Sequence, residues 1–432
     1  MVDTRGSAPS AQETFMQMAM ASGLRSRLFL TLGLLLLVRL GIYIPIPGID
    51  RVRFAAEAAN SPVFGLLDVF SGGGISALGI FALGILPFIN ASIIMQLLIP
   101  AIPALENLQK NEGEQGRRQI SQYTRYVTLA WAIIQGIGIS FWVREFASTT
   151  NELAFMASTT LALAAGSLFV MWLGEMITEK GVGSGPSLLI FVNIVATLPR
   201  ALGQTISLAR ADSSTIGGIL LLTAIFLATI VGIVFVQEGS RKIPIVYAKR
   251  QVGNKLFREQ KSYLPLRLNQ GGVMPIIFAY SVMSLPLALA QYTQNLTLVQ
   301  VANFLSPTSW FYIPFYFVLI LFFSYFYTSL LINPVDLAQN LKKMGASIPG
   351  VRPGKATAEY VEGILNRLTL LGALFLCAVA IIPTTVERAT GITTFQGLGA
   401  TSLLILVGVA IETSKQIQTY VISQRYEGMV KQ

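Results

Sequence analysis

The sequence predicts an all-α membrane protein with ten transmembrane helices. Hydrophobic residues make up 53% of the 432 positions, and the mean hydropathy is +0.62. Only 12% of the residues are charged, whereas soluble domains average about 25%. Ten apolar stretches recur along the chain, most of them close to the ~20 residues that a membrane-spanning helix needs. Together these observations exclude a soluble globular fold.

The ten stretches divide evenly along the chain. The first five are Leu28–Ile44, Ile75–Ile99, Tyr126–Val143, Leu153–Ile177 and Gly183–Leu198. The second five are Ile216–Val236, Gly272–Ala290, Trp310–Ile332, Leu368–Val386 and Leu398–Thr413. We therefore expect an N-terminal half over residues 1–205 and a C-terminal half over residues 206–432. The fifth and tenth stretches are short, which predicts little tilt or a place beside a cavity.

The basic residues predict the orientation, because Lys and Arg accumulate on the inner side of membrane proteins. With the N-terminus inside, 24 of the 31 Lys and Arg residues fall in inner segments. Six fall outside, namely Arg51, Arg53, Arg144, Arg200, Arg210 and Arg388. We therefore predict that both termini are cytoplasmic. Five spans per half then give the halves opposite topology, as in an inverted repeat with its functional site near the midplane.

A short apolar segment near the start of the chain is interrupted by glycines. Residues 61–70 are too few to span a bilayer, and Ser71-Gly-Gly-Gly74 follows them. A half-span is tolerated only where protein or a water-filled cavity surrounds it. The segment therefore predicts an enclosed cavity at membrane depth, on the outer side according to the charges. A short helix lying on the outer surface is the alternative.

Two inner loops, at about 238–271 and 333–367, are too long for simple connectors. The first contains the alternating, β-branched stretch Lys242–Val246, which predicts a short hairpin. The second begins with a helix-like stretch over residues 333–343. Two Pro-Gly pairs at 349–350 and 353–354 then predict a stiff turn that presents Arg352 outward. Partner docking is one role for Arg352; topogenic charge and attraction to anionic lipids are the alternative.

Seven motifs, spread over almost the whole chain, point to a known family. They are Ile44–Asp50, Ile80–Pro87, Gly116–Tyr126, Met171–Glu179, Tyr247–Gln251, Ile348–Gly354 and Gly399–Ile405. In this order they resemble the SecY/Sec61-alpha family of protein-conducting channels. The resemblance implies two inverted five-helix halves around an hourglass pore. It also implies translocation of unfolded secretory preproteins and lateral insertion of membrane proteins, through a passive pore driven by SecA or the ribosome.

The resemblance gives the short apolar segment a role as a plug half-helix in the outer funnel of the pore, at about residues 61–74. Its members are Pro62, Phe64, Leu67, Asp68, Phe70, Gly72 and Gly73. Gly72 to Gly74 would form the hinge, because glycine accepts unusual backbone angles.

The resemblance also implies a ring of apolar side chains at the waist of the pore. By motif its members are Ile85, Ile89, Ile190, Ile277 and Ile405. Ile85 and Ile89 are spaced i, i+4 and therefore share one helix face. A ring of stiff, β-branched side chains would block ions by dewetting. Pro186 stands where the family has a further ring isoleucine, so the ring is either five-membered or rearranged.

A third implied element is a lateral gate between spans two and three and spans seven and eight. Asn90 and Gln96 in the second span are amides in an apolar stretch, and such groups need partners in hydrocarbon. Ser281 and Ser284 in the seventh span are candidate partners across the seam. An ordinary interhelical contact elsewhere is the alternative.

The resemblance further implies partners and a location. The partners are the small subunits SecE and SecG, SecA, the ribosome and signal-sequence-bearing preproteins, with YidC and SecDF as further candidates. Lys249, Arg250 and Arg352 would dock SecA or the ribosome. The membrane would be a bacterial inner (plasma) membrane, or alternatively a thylakoid membrane. The chain has no His, which excludes histidine metal sites, and no cofactor is expected.

Charges within the spans distinguish the remaining function classes. Arg39 lies within the first span, where it is either functional or snorkels or pairs with a carbonyl. Glu175 and Glu179, at the inner end of the fourth span, indicate a solvated or salt-bridged face. A secondary transporter of small solutes is the alternative to a channel, but it would usually carry more ionisable residues mid-span. An intramembrane enzyme is disfavoured by the lack of His and of clustered mid-span carboxylates.

Overall fold

In the residues that it describes, the computed structural model of the protein is mostly helical, with two small sheets. It describes residues 22–50, 53–54, 71–147, 151–211, 216–247, 251–252, 255–256, 261–279, 282–283, 286, 300, 304–305, 309–390 and 400–430. The chain divides into two compact units. The first unit comprises Met1–Ile206, Gln396–Leu398 and Val409–Gln432, and the second comprises Ser207–Phe395 and Gly399–Gly408.

The described residues form twelve α-helices. As far as residue 211 they are α1 (Ser22–Ile42), α2 (Gly74–Ala77), α3 (Leu86–Ala101), α4 (Pro103–Asn111), α5 (Gly113–Val143), α6 (Glu152–Lys180) and α7 (Gly185–Ala211). Beyond it they are α8 (Ile216–Glu238), α9 (Tyr312–Leu331), α10 (Pro334–Lys343), α11 (Lys355–Thr390) and α12 (Ala400–Val430). In the described part of the chain, five helices are long and apolar enough to cross a membrane, and α3 with α4 forms a sixth candidate bent by 102°.

The predicted second span, Ile75–Ile99, is wrong as a single helix. The one-turn helix α2 ends at Leu78, whose φ of 43° is left-handed, and regular helix resumes only at Leu86. Gly84 also has a positive φ, of 53°, which glycine adopts without steric cost. The apolar run therefore consists of one helical turn, a non-helical stretch and a 16-residue helix.

The helices that contain the fifth and tenth predicted spans are longer than the apolar stretches themselves. Helix α7 has 27 residues and α12 has 31, whereas the apolar windows ended at Leu198 and Thr413. Hydropathy marks where lipid contact ends, but the polar residues that follow are compatible with helix and continue it. The apolar part of α7 is the short segment Gly185–Pro199, so the prediction of a short fifth span is confirmed.

A three-stranded sheet confirms the predicted hairpin in the first inner loop. Strand β1 (Ser240–Tyr247) pairs antiparallel with β4 (Lys261–Arg267), and Ile243 lies opposite Leu264. The sheet gains a third strand from the second inner loop, because β5 (Ala346–Ser347) pairs with the other edge of β1. The strands β2 (Gln251–Val252) and β3 (Lys255–Leu256) form a separate two-stranded ladder. The two inner loops therefore fold together, within the second unit.

Close packing of α6 on the start of α7 depends on two glycines. A Cβ at Gly185 would overlap the carbonyl group of Gly174. The Gly185 amide donates to the Thr178 hydroxyl at 2.9 Å, and this hydroxyl donates to the Gly174 carbonyl at 3.0 Å. Small residues let membrane helices approach this closely, so the first turn of α7 is held directly against α6.

We expect Gly185→Ala to lower the free energy of unfolding by about 1–3 kcal/mol, because the added methyl meets backbone that cannot give way. The control is Gly203→Ala in the same helix, where a Cβ meets nothing within 4 Å and alanine should be neutral or stabilising. Thermal unfolding of the detergent-solubilised protein measures both. Equal melting temperatures for the two variants would contradict the packing argument.

Candidate functional site

The non-helical stretch between α2 and α3 is buried in the first unit. Every residue from Leu78 to Ile85 except Ile80 is buried. The ring of Phe81 stacks on Phe169 of α6 at 5.8 Å between centroids and covers Gly41 of α1, where a Cβ would overlap it. Irregular backbone at membrane depth is tolerated only when protein or a water-filled cavity surrounds it. Here the helices α1 and α6 supply that protein.

Hydrogen bonds from both neighbouring helices satisfy the backbone of this stretch. Just beyond α1, the Ile46 amide donates to the Leu78 carbonyl at 3.2 Å and the Ile44 carbonyl accepts from the Ile80 amide at 3.0 Å. From α6, the buried Ser167 hydroxyl donates to the Gly84 carbonyl at 3.0 Å. The path of the chain into α3 is therefore fixed at both ends of the stretch.

The residues just before α2 form a sharp, buried bend. Gly72 and Gly73 have left-handed φ angles of 68° and 90°. The Ser71 hydroxyl accepts from the amides of Gly74 and Ile75 at 3.1 and 3.2 Å, and so caps the start of α2. Gly72 and Gly73 thus adopt backbone angles that other residues rarely adopt, whereas Gly74, the third residue of the predicted hinge, begins α2. The other predicted plug residues (Pro62, Phe64, Leu67, Asp68 and Phe70) lie outside the described residues.

Arg39 contacts this bend. Its Nη1 atom donates to the Gly72 carbonyl oxygen at 2.7 Å. Of the possibilities open from the sequence, pairing with a carbonyl is therefore confirmed. The carbonyl belongs to the predicted hinge, 33 residues away, and no sequence signal could have indicated it.

The predicted ring residues are divided between the two units. In the first, Ile85 and Ile190 are 1% and 6% exposed and Ile89 is half-buried. The Ile89 amide bonds to the Ile85 carbonyl at 3.1 Å, so the predicted one-turn spacing on a helix is confirmed. In the second, Ile277 is half-buried and Ile405 is 2% exposed.

Ile85 lies beside the close approach of α6 and α7. Its Cδ1 atom is 3.7 Å from the position that a Cβ of Gly174 would take, and the amide nitrogen of Pro186 is 3.6 Å from the same point. Pro186, the departure from the family's ring pattern, therefore stands at the start of α7 against α6. A methyl group at Gly174 would meet Leu189 Cδ1 most closely, at 3.3 Å, and would be in ordinary van der Waals contact with Ile85.

The predicted gate amides Asn90 and Gln96 are both half-buried on α3. The Gln96 amide group donates to the hydroxyl of Ser92, one turn earlier in the same helix, at 3.4 Å. Gln96 thus has a polar contact within its own helix. The predicted partners across the seam, Ser281 and Ser284, lie outside the described residues.

The predicted stiff turn presents Arg352 outward, as expected. The Val351 amide donates to the Ile348 carbonyl at 3.1 Å, and Gly350 has a φ of 80°. Proline followed by a glycine with positive φ is the signature of a type II turn, which Pro349-Gly350 supplies. Arg352 is exposed, while Lys249 and Arg250 lie outside the described residues.

The backbone beneath Arg352 is anchored to a packed core. The Thr357 hydroxyl donates to the Arg352 carbonyl at 2.8 Å. Ile348 packs in a buried cluster with Ile243 and Leu266 of the sheet and with a stripe on α11. The stripe consists of Val361, Ile364, Leu365 and Leu368, the helical spacing of an amphipathic face. The exposed guanidinium is therefore carried by a folded support.

An ion pair joins α5 to α6. Arg125 Nε and Nη2 each lie 2.9 Å from a different oxygen of Glu175, the two-pronged geometry that guanidinium and carboxylate favour. The salt-bridged alternative for Glu175 is thus confirmed. The identity of its partner, 50 residues away, could not be predicted because charge patterns report only on neighbours along one helix.

Comparison with known proteins gives consistent matches. The family model described as SecY matches residues 79–414. Two proteins named Protein translocase subunit SecY, from Synechococcus elongatus and a Synechocystis species, are 66% and 63% identical to this chain. Both similarities cover 100% of this chain and 100% of the relative.

Solved structures share the fold at low sequence identity. A structure described as a protein conducting channel matches with a TM-score of 0.63 and 18% identity, over 90% of this chain and 91% of that one. One concerning the plug domain of SecY gives 0.61, with the same identity and coverage. Sec61 in a canine ribosome-channel complex gives 0.59, again with the same identity and coverage.

The enclosed irregular backbone, the apolar helices and these matches define a helical membrane protein of the protein-conducting channel class. The chain belongs to the SecY family, and it acts as a protein translocation channel. The prediction of a ten-helix membrane fold is confirmed. The transporter alternative gains no support from the comparisons.

We expect Ser167→Ala to lower the free energy of unfolding by about 1–3 kcal/mol, because it leaves the buried Gly84 carbonyl without its hydroxyl donor. Ser158→Ala on the same helix is the control, since that exposed hydroxyl bonds only to a carbonyl of its own helix. Thermal unfolding of both variants in detergent checks this. A Ser167→Ala protein as stable as the control would show that water or another donor replaces the hydroxyl.

Proposed function

We propose that the chain is the passive, central pore through which unfolded secretory preproteins cross a bacterial inner membrane. The observation that carries the proposal is the mostly buried, non-helical stretch from Leu78 to Ile85, which leads from the glycine bend and α2 to an isoleucine at the start of α3. A fold that needs only to span lipid has no use for such a stretch, because each irregular peptide group must be satisfied by protein.

In this proposal the plug, with its glycine bend, and a ring of five isoleucines keep the resting channel closed. Residues 61–74 are the plug, and Gly72 and Gly73 are its hinge. The five isoleucines at positions 85, 89, 190, 277 and 405 are the ring that excludes ions. The support is family membership together with the left-handed glycines and the one-turn spacing of Ile85 and Ile89. The relative whose plug is said to stabilise the closed channel supplies the analogy.

Membrane segments leave sideways in this proposal, through a gate lined by Asn90, Gln96, Ser281 and Ser284. The half-buried position of both amides on α3 supports this role, since polar side chains in a span need partners that a moving seam can exchange. The weak contact of Gln96 with Ser92, at 3.4 Å, is one that a partner across the seam could replace.

The driving force comes from outside the chain in this proposal, at the inner face. Arg352, on its anchored turn, docks the SecA ATPase or the ribosome together with Lys249 and Arg250 of the first inner loop. Support comes from the folded platform under Arg352 and from a structural relative described in a ribosome complex. SecE, SecG, signal-bearing preproteins, YidC and SecDF complete the proposed partners, and anionic lipids attract the basic inner loops.

Replacement of Ile85 and Ile277 by glycine should make the resting channel leak ions, because the apolar constriction widens and becomes wet. The measurement is ion conductance of the purified translocase in planar bilayers. Ile102→Gly is the control, since Ile102 also stands at a helix end but is 40% exposed. If the conductance equals that of the unmodified channel, the assignment of Ile85 and Ile277 to the ring is wrong.

Replacement of Arg352 by glutamate should abolish SecA-driven transport of a preprotein into proteoliposomes while membrane insertion of the channel stays normal. The reversed charge on a fixed turn repels whatever acidic surface the arginine docks. Lys343→Glu is the matched control, because it makes the same charge change at an exposed position of the same loop. Equal transport by both variants would return Arg352 to a topogenic role.

A further inference from the structure

Arg39 and Gly72 make a short, specific hydrogen bond between α1 and the bend before α2. Arg39 is half-buried in the last turn of α1, and its Nη1 atom lies 2.7 Å from the Gly72 carbonyl oxygen. A hydrogen bond with a charged donor is about twice as strong as one between neutral groups. The contact therefore fixes one particular peptide group of the bend to the first helix.

Gly72 is also constrained from a second direction. A Cβ at this position would stand 2.5 Å from Arg39 Nη1 and 2.6 Å from Asn193 Oδ1. At Gly73, which has a similar left-handed conformation, a Cβ would meet nothing within 4 Å. Gly73 is therefore required only for its backbone conformation, whereas Gly72 is also required so that two polar side chains can close around it.

Asn193 relates this site to the proposed constriction. It is 3% exposed and stands three residues after Ile190 on α7, so both side chains lie on the same helix face. Three helical residues advance about 4.5 Å along the axis. The polar contact at Gly72 thus lies one turn of α7 away from a ring isoleucine.

We propose that Arg39, with Asn193, is a latch that holds the hinge of the plug in the closed channel. When the plug leaves, the Gly72 carbonyl moves and the guanidinium loses its partner at a depth where charge is costly to leave unpaired. The latch thus favours closure until a translocating chain or water in the opened pore replaces the carbonyl. The inference rests on the plug assignment proposed above.

Ion conductance of the purified full-length translocase in planar bilayers tests the latch. Arg39→Met keeps the length of the side chain but removes its charge, and Gly72→Ala forces the two polar groups apart. We expect each to raise spontaneous opening about tenfold, which corresponds to about 1.4 kcal/mol at 25 °C. Gly73→Ala carries the same backbone penalty without the collision, and should open much less often than Gly72→Ala. Arg39→Lys, which keeps the charge, should restore closure in part.

Deletion of residues 64–70 separates a failure of the latch from a failure of the plug. With the plug deleted the channel should leak, and Arg39→Met should add nothing further. If the deletion leaks but Arg39→Met and Gly72→Ala alone match the unmodified channel, the latch is wrong and the plug stands. The latch is also wrong if Arg39→Met adds its full effect to the deletion. If the deletion itself leaves conductance unchanged, the plug assignment fails.

Discussion

Peptide groups at membrane depth have no water to bond with, so a chain that leaves the helix there must be satisfied by its own protein. The stretch from Ser71 to Ile85 meets this requirement with three sets of donors and acceptors. The Ser71 hydroxyl caps α2, the residues after α1 bond to Leu78 and Ile80, and Ser167 bonds to Gly84. Because Ile44 and Ile46 directly follow α1 and Ser167 lies on α6, the path of the chain into α3 depends on the positions of both helices.

Close contacts of the same stretch account for three glycines in the first unit. Gly41, Gly79 and Gly166 each lie so close to a neighbouring ring or carbonyl that a Cβ would overlap it. In lipid, helices gain little from hydrophobic burial against one another and associate through close van der Waals contact and hydrogen bonds. Glycine allows that contact here between a helix and an irregular chain, not only between two helices.

Hydropathy and local turn chemistry account for what the sequence could predict. The apolar stretches and the type II turn at Pro349-Gly350 are local patterns, so the helical class and the outward position of Arg352 followed directly from the residues. The break after Leu78 was missed because residues 75–89 are apolar apart from Ser76. Gly79, Gly84 and Pro87 did not mark the break, since glycine and proline are common in membrane helices. Helix ends beyond Leu198 and Thr413 were missed for the opposite reason, since polar residues continue a helix that hydropathy no longer marks.

The candidate site was predictable by residue type but not by partner. A charge within a span marked Arg39 as unusual, yet its partner is a backbone carbonyl 33 residues away, and carbonyls carry no side-chain identity. The bond between Glu175 and Arg125 joins two helices in the same way. Contacts of this kind depend on tertiary packing, so only the fold reveals them.

Helix α11 is 36 residues long, or about 54 Å at 1.5 Å per residue. It starts at the turn that carries Arg352, packs under the sheet, and continues against α8 and α9, where the Cys377 thiol contacts the Phe317 carbonyl at 3.7 Å. One continuous helix thus joins the turn that carries Arg352 to the packing against α8 and α9. Because a regular helix resists bending, we expect a displacement of the turn to tilt or shift this helix as a unit as far as Pro383, the proline inside it.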